Sequence, residues 1–546
     1  MYGLMQDRPL GLPHVFHRAE QLFGHRSIVT ATHTGEVTVS YAEWARRVRR
    51  LATVLDTLGL APDARVASFA WNTQRHLELY FAVPCTGRVL HTLNIRLFAD
   101  QVRYIVRHAR DEAIFVDRSL LPALWPIVAE MPEVRHVVVI DDGADCEMPG
   151  DPRVHDYETL LAAAEPFAGR FAVADENAAA AMCYTSGTTG NPKGVVYSHR
   201  STVLHSLILL TADAVALCER DTLLPVVPMF HVNAWGLPYA AVFAGANLVF
   251  PGPSMTPAAL LEQIERHRVT VTAGVPTIWM GAVPLLDSHD LSSLRMVVCG
   301  GSAVPRSLSE TWREKIGLPI TQAWGMTETS PIASIATPRS QHERLAADAL
   351  ADVRAAQGQP VPLMDLRIVD PESGEELPWD GVAFGELQAS GPWVAREYFH
   401  AEDGGGSFTD DGWLRTGDVA TIDPDGYVRL VDRTKDLVKS GGEWISSVEL
   451  ENEIMAHPAV AEAAVIAKPD PKWSERPVAC VVVEQGATVT AEEIIDHLRP
   501  RVAKWWLPDE VLFVDEIPKT STGKFSKKTL RERLYPVGAE PAAETP

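Results

Sequence analysis

Short β-branched runs alternate with helical stretches through most of the 546-residue chain. That order requires a sheet covered by helices, an α/β layering. The clearest helix starts after Ser40, which pairs with Glu43 three residues on as a capping box. Trp44, Val48, Leu51 and Leu55 then recur on one face, and Gly59 stops the run. The same reading predicts strands over 65–69, 113–116, 136–140, 269–273 and 295–299, with a helix over 276–286 between the last two. No internal repeat is visible, and AEDGGGSFTDDG at 401–412 reads as a turn-rich loop.

The pattern changes near Asp432. Before it, DGYVRLV reads as a hairpin arm. After it come a Gly441-Gly442 turn, a helix from about Ser446 capped with Glu449, strands over 460–467 and 478–484, a helix from Ala491, a strand over 511–514 and a last basic helix. This divides the chain into a large multi-layer α/β domain, 1–431, and a smaller α+β domain, 432–546. Hydrophobic residues at 46% and charged residues at 22% are the balance of a globular protein. A net charge of −22 disfavours nucleic acid as a partner, since phosphate backbones need clustered Lys and Arg. A local site can still hold a small anion. The six cysteines, Cys85, Cys146, Cys183, Cys218, Cys299 and Cys480, contain no CxxC pair. Buried reduced thiols of a cytoplasmic protein are expected, not a zinc or redox centre. The start of the chain has no signal-peptide pattern. The longest apolar stretch, 239–250, is broken by Gly245 and Asn247 and is too short to span a bilayer.

The segment richest in chemistry is YTSGTTGNPKG at 184–194. It holds Gly187, Gly190 and Gly194, four hydroxyl residues (Thr185, Ser186, Thr188, Thr189) and Lys193. Glycines let backbone N–H groups ring an anion, hydroxyls add donors and the lysine adds charge, which is the chemistry of a polyphosphate cradle. It is not a Walker A loop, because Lys193 is followed by Gly194 instead of Ser or Thr.

This loop resembles that of the adenylate-forming superfamily of acyl-CoA synthetases, aryl-CoA ligases, luciferases and peptide-synthetase adenylation domains. Six further motifs of that family stand in order: VPMFHVNAWG at 227–236, GGSAVP at 300–305, QAWGMTETSP at 322–331, RTGD at 415–418, DRTKDLVKSGGEWIS at 432–446 and PKTSTGKF at 518–525. The resemblance covers nearly the whole chain. Within the superfamily it is similar to bacterial medium- and long-chain fatty acyl-CoA synthetases and methylthiopropionate-CoA ligases. It implies an ATP-dependent acid–CoA ligase that forms acyl-AMP and then acyl-CoA, with ATP, Mg²⁺ and CoA as its small-molecule partners. It also implies a mobile small domain and the homodimer common among relatives.

The chemistry of this reaction fits the residues. An anionic carboxylate must meet an anionic α-phosphate, so positive charge must be aimed at both. By resemblance, Lys524 bridges the two, Glu328 holds Mg²⁺ with Thr185, and Thr327 contacts the α-phosphate. Asp418 takes the ribose hydroxyls with Arg433 beside it. Gly301, Ser302, Ala303, Gln322, Ala323 and Trp324 enclose adenine, with Trp324 as a stacking face. Trp235 is the gate of the acyl tunnel, with His231 and Val232 at the nucleotide–acyl junction. Asp432 is the hinge. Lys439, Gly441, Gly442, Glu443 and Trp444 line the thiol path, and Lys435, Lys439 and Trp444 are also associated with the nucleotide.

Ala323 stands where most relatives have Gly, at the floor of the acyl pocket. Its methyl group is expected to narrow or shorten that pocket, towards medium-chain, branched or aryl acids. Ile95 replaces a common Pro. Other outcomes of the same fold are transfer to a carrier-protein thiol, or activation of an aryl acid or of nitrite. A non-catalytic sensor would lack Lys524 or Glu328, and both are present.

Overall fold

The computed structural model describes residues 1, 3–185, 191–400, 406–433, 435–440, 443–520 and 525–535. Among them the predicted layering takes the form of two large sheets with helices between and around them. One sheet runs Val154–Asp156, His136–Ile140, Asp111–Asp117, Arg65–Phe69, Val89–Thr92, Ala179–Tyr184, Gly194–Ser198, parallel except for its last strand. The other runs Gln359–Pro360, Ile332–Ile335, Ile320–Gly325, Met296–Cys299, Val271–Gly274, Thr222–Pro225, Asn247–Phe250, Ser27–Thr32, Gly35–Ser40. It is parallel from Ile320–Gly325 to Ser27–Thr32 and antiparallel at both edges.

The helix Gln74–Cys85 touches strands of both sheets and is buried at nearly every position. Its apolar half, Leu79 to Cys85, suits such an interior layer, and its buried polar residues are paired there, Glu78 with Arg47 and His76 with Ser68. Against this helix packs Tyr41–Thr57, whose Ser40 side chain accepts from the Glu43 amide at 3.1 Å, while the Glu43 carboxylate turns to Arg46 and leaves the other half of the predicted box unmade. Trp44, Val48, Leu51 and Leu55 face the core. A smaller antiparallel sheet follows, Asp365–Val369, Phe384–Ser390, Leu414–Ile422, Val428–Arg433.

The smaller C-terminal domain has its own sheet and core. Val460–Asp470 and Ser474–Val483 form a long hairpin flanked by Val438–Ser440 with Glu443–Ile445 and by Glu510–Phe513. The helices Ser447–Met455, Ala491–Leu498 and Lys527–Leu534 complete it. The hairpin is longer than predicted because pairing continues past Ala467 to Asp470 and Ser474.

One further difference has a local cause. The helix expected over 276–286 is α-helical only over Pro276–Ala282 and tightens to a 3₁₀ turn at Val283–Ser288. Pro284 lacks the amide that would continue it. The strand expected from 269 starts at Val271. All six cysteines are free; Cys85, Cys183, Cys299 and Cys480 are buried as expected, but Cys146 is half-buried and Cys218 exposed, both in connecting segments. Among the described residues no helix is long and apolar enough to cross a membrane.

Candidate active site

Four parallel strands of the second sheet, Thr222–Pro225, Val271–Gly274, Met296–Cys299 and Ile320–Gly325, end at a cavity of about 690 Å³. Strand order reverses there, since Asn247–Phe250 lies on one side of Thr222–Pro225 and Val271–Gly274 on the other. Crevices beyond the carboxyl ends of such strands are where open α/β sheets bind ligands. The segments that leave these strands form the wall: His231 to Trp235, Pro276 to Met280, Gly300 to Ala303, and Met326 to Glu328.

The turn Thr327–Thr329 holds Glu328 with only 5% of its surface exposed. Tyr398 donates its hydroxyl to Glu328 Oε1 at 2.5 Å. Ala395 N donates to Glu328 O at 2.7 Å, and Tyr197 donates to Thr327 O at 2.8 Å. Burial and the Glu328 carboxylate push the Tyr398 phenol up, so it stays a donor. The same ring lies 4.6 Å from the Lys193 ammonium. At the base of the glycine-rich loop, Thr185 N donates to Lys193 O at 2.9 Å and Lys193 N donates to Thr185 Oγ1 at 3.2 Å. Ser186, Gly187, Thr188, Thr189 and Gly190 lie outside the described residues.

Thr185 and Glu328 share the cavity wall. Among the described residues no three His, Cys, Asp or Glu gather into a metal cluster. Mg²⁺ is commonly held by one or two carboxylates with phosphate oxygens and water. One buried carboxylate and one hydroxyl on the same cavity wall fit the protein's share of that donor set.

Asp418, 2% exposed, is fixed at both oxygens. Arg433 Nε lies 2.6 Å from Oδ1, and Trp324 Nε1 donates to Oδ2 at 3.0 Å. Trp324 lines the cavity while this bond anchors its edge. Gln322 uses its whole carboxamide on backbone: Oε1 accepts from Val304 N at 2.6 Å, and Nε2 donates to Ala355 O and Ala356 O at 2.8 Å. It thereby holds the Gly301–Ser302–Ala303 loop, which lies on the same wall.

Val232, Asn233, Ala234 and Trp235 form a left-handed turn, with φ of 46°, 49°, 49° and 57°, closed by Gly236 at 70°. Left-handed geometry costs an L-residue about 1–2 kcal/mol, so the surroundings must hold it. Asn233 Oδ1 accepts from Cys183 Sγ at 3.0 Å and Thr92 Oγ1 at 3.3 Å. A side chain on Gly236 would strike His205 at 2.6 Å. A Cβ on Gly300 would meet Ala323 O at 2.6 Å and the tip of the Trp235 indole at 3.3 Å, so glycine is what lets the ring lie across this strand end. Leu209, Val215, Val298 and Ile332 make the adjoining wall apolar.

The facing wall comes from Asp432 and Arg433 at the end of the strand Val428–Arg433 and, beyond them, from Lys435, Glu451 and Lys527. Lys439 and Trp444 pair across their hairpin, ammonium to ring 5.1 Å, and do not line the cavity. Gly441, Gly442 and Lys524 lie outside the described residues, as does the side chain of Glu443. The cavity thus gathers His231, Val232, Trp235, Thr185, Gly301, Ser302, Ala303, Gln322, Ala323, Trp324, Thr327, Glu328, Asp418, Asp432, Arg433 and Lys435. Tyr398, Gly300 and Asn233 were not expected. Gly300 stood visibly in a Gly-Gly pair, whereas nothing near Tyr398 in the chain points to Glu328.

Residues 16–399 match the family described as AMP-binding enzyme, and residues 449–524 match the AMP-binding enzyme C-terminal domain. The chain belongs to the AMP-binding enzyme family. One family relative, a long-chain-fatty-acid–CoA ligase of Thermus thermophilus, is 48% identical over 97% of this chain and 96% of its own. A medium-chain-fatty-acid–CoA ligase of Ectopseudomonas oleovorans is 44% identical over 98% and 97%. Among solved AMP-binding enzymes, the anthranilate CoA ligase AuaEII in complex with anthranoyl-AMP superposes with a TM-score of 0.86 at 27% identity, covering 97% of this chain and 99% of that one.

Proposed function

We infer that this chain is an ATP-dependent, AMP-forming acid–CoA ligase for a fatty acid of medium or long chain. The observation that carries the reading is one cavity with two kinds of wall. Thr185, Thr327, Glu328, Asp418 and Arg433 form a polar, charged wall, and Leu209, Val215, Val298 and Ile332 an apolar one, with Trp235 and Ala323 where they meet. Relatives close in sequence over nearly their full length, both fatty-acid–CoA ligases, support the same substrates.

In the first step a carboxylate oxygen of the acid attacks the α-phosphorus of ATP. The bond from that phosphorus to the bridging oxygen breaks and pyrophosphate leaves. Lys524 sets positive charge between the two anions, and Thr327 donates to the α-phosphate. Asp418 takes the ribose hydroxyls, while Arg433 and Trp324 hold its carboxylate. Glu328 and Thr185 would hold Mg²⁺, which would neutralise phosphate charge, and Tyr398 orients the Glu328 carboxylate. Gly301 to Ala303 and Gln322 to Trp324 enclose the base.

In the second step the thiolate of CoA attacks the acyl carbon, the acyl–oxygen bond breaks and AMP leaves. The small domain turns about Asp432 between the steps, bringing Lys439, Gly441, Gly442, Glu443 and Trp444 to the thiol path; this explains why Lys439 and Trp444 stand off the cavity in the pose described. A cytoplasmic homodimer is the form we propose. Six free thiols accord with a reducing compartment, and sedimentation tests the dimer.

The test is pyrophosphate release across acids of graded length and aromaticity, with and without CoA. Release with fatty acids, and acyl-CoA only when CoA is added, is expected. Release without any thioester would replace CoA with another acceptor.

A further inference from the structure

Asp432 ends the strand Val428–Arg433, paired with Val419 in the antiparallel sheet that precedes the small domain. Its carboxylate, 2% exposed, points the other way. Oδ2 accepts from Ser447 N at 2.6 Å and from Ser447 Oγ at 2.5 Å, both on the first turn of Ser447–Met455. Ser446 Oγ donates to Val431 O alongside. Lys527, the first residue of the last helix, reaches the same point. Its ammonium donates to Ser447 Oγ and lies 2.7 Å from Glu451 Oε1. That oxygen also accepts from Val465 N at 2.7 Å on the hairpin. A continuous chain therefore runs from the small domain's sheet through Glu451, Lys527 and Ser447 to the hinge carboxylate.

The electrostatics accord with the geometry. Burial works against the Lys527 ammonium, but Glu451 and Asp432 outweigh it and raise its pKa. Burial pushes the Glu451 carboxyl up to about 7, with Lys527 pulling against it. One ammonium serves two buried carboxylates, so its loss would leave both uncompensated. Lys527 also follows Lys524 by three residues in the sequence. Just before Lys527, Phe525 is bridged to Lys519 and the Ser526 amide donates to Pro518 O at 2.7 Å.

We propose that Lys527 is a positioning residue for both half-reactions. Through Ser447 it ties the Asp432 carboxylate to the small domain, so that the hinge side chain and the helix Lys527–Leu534 turn as one body. The proposal rests on the two-step reading above. Ser447 is the discriminating position, because removing its hydroxyl cuts the relay from Lys527 to Asp432 while leaving the Ser447 amide on Asp432 and the Lys527–Glu451 pair in place.

The experiment measures pyrophosphate exchange, thioester formation from supplied acyl-AMP, and melting temperature in the full-length enzyme. Ser447→Ala is expected to slow the overall reaction about tenfold, with KM for ATP within about twofold and a melting temperature lowered by only about a few degrees, so that the enzyme stays folded at the assay temperature. Lys527→Met should be at least as slow, and Lys527→Arg should recover part of the loss. The double variant Asp432→Ala with Ser447→Ala should be no slower than the slower single, because both cut one link. Wild-type turnover in Ser447→Ala, or multiplying effects in the double variant, would overturn the clamp while leaving the ligase reading in place. A wild-type enzyme that makes no AMP from any acid would overturn both.

Discussion

The two large sheets end in equivalent places with opposite outcomes. In the second sheet the strand order reverses at Thr222–Pro225, and the crevice beyond it is open, about 690 Å³ lined by loops that face inward. In the first sheet it reverses at Arg65–Phe69, which lies between Val89–Thr92 and Asp111–Asp117. There the chain fills the crevice itself. Trp71 N donates to Asp117 Oδ2 at 2.7 Å, Trp71 Nε1 donates to Ser119 Oγ at 3.0 Å, and Ser119 N faces both Asp142 oxygens at 3.3 Å. Asn72 reaches over to hold Pro225 O and Val227 O, each at 2.9 Å, at the root of the segment that carries His231 to Trp235. The filled crevice is thus a buttress for the open one. The topology offers two sites, and side chains decide which becomes a pocket.

This contrast predicts that changes around the open crevice alter chemistry with little effect on stability, and that changes in the filled one do the reverse. The largest effect belongs to Lys524. Lys524→Ala should cut adenylate formation by roughly 10²–10³-fold, as loss of one transition-state donor does. Thioester formation from supplied acyl-AMP and the melting temperature should be unchanged. Equal loss in both half-reactions would remove this lysine from the first step. Next is Tyr398→Phe, expected to slow pyrophosphate exchange roughly tenfold, the low end of what a hydrogen bond to a carboxylate contributes, and to raise the Mg²⁺ concentration needed for half-maximal rate. A variant as active as the wild type at every Mg²⁺ level would reduce Tyr398 to packing.

A smaller effect is expected at the acyl end. Ala323 lies on the strand Ile320–Gly325 opposite Ile335, and its carbonyl oxygen crowds Gly300 beside the Trp235 ring. A methyl group in an apolar pocket discriminates by about 1–3 kcal/mol. Ala323→Gly should therefore move the preferred acid up in length, read as kcat/KM across a series of straight-chain acids. An unmoved profile would place the pocket's depth elsewhere, with Val232, Val298 and Ile332 the neighbours to change next.

Much of this was legible in the chain. The Ser40 cap, the Arg65–Phe69 and His136–Ile140 strands and the order of the small domain's elements follow from local pattern, because capping and alternation act over a few residues. Sixteen positions expected from motifs do meet at one cavity. What stayed hidden depends on distant neighbours. Trp324 reads as a stacking face, yet its indole N–H is spent on Asp418, 94 residues away in sequence. The left-handed turn at 232–235 contains one asparagine and no glycine, so nothing local announces it; Thr92 and Cys183 hold it from another sheet. Tyr398 meets Glu328 across 70 residues.

The sharpest break of the comparison is the change that should leave chemistry untouched. Asp117 is fully buried, and its Oδ1 has no hydrogen-bond partner. Burial, with the Asp142 carboxylate adding to it, pushes its pKa up to about 8. The folded state therefore keeps the proton over a range in which the unfolded chain, near the ordinary value of about 3.9, has released it. The unfolded state binds fewer protons there, so stability falls as pH rises through that window and levels off above about 8. Asp117→Asn, neutral at every pH, escapes that fall. Urea unfolding should show the variant gaining on the wild type from pH 5 to pH 8, by up to about 1.4 kcal/mol per pH unit, while turnover at pH 7 stays within about twofold. A constant gap would mean that the carboxyl ionises in the folded state at its usual pH. A large loss of turnover would mean that the filled crevice does more than brace the open one.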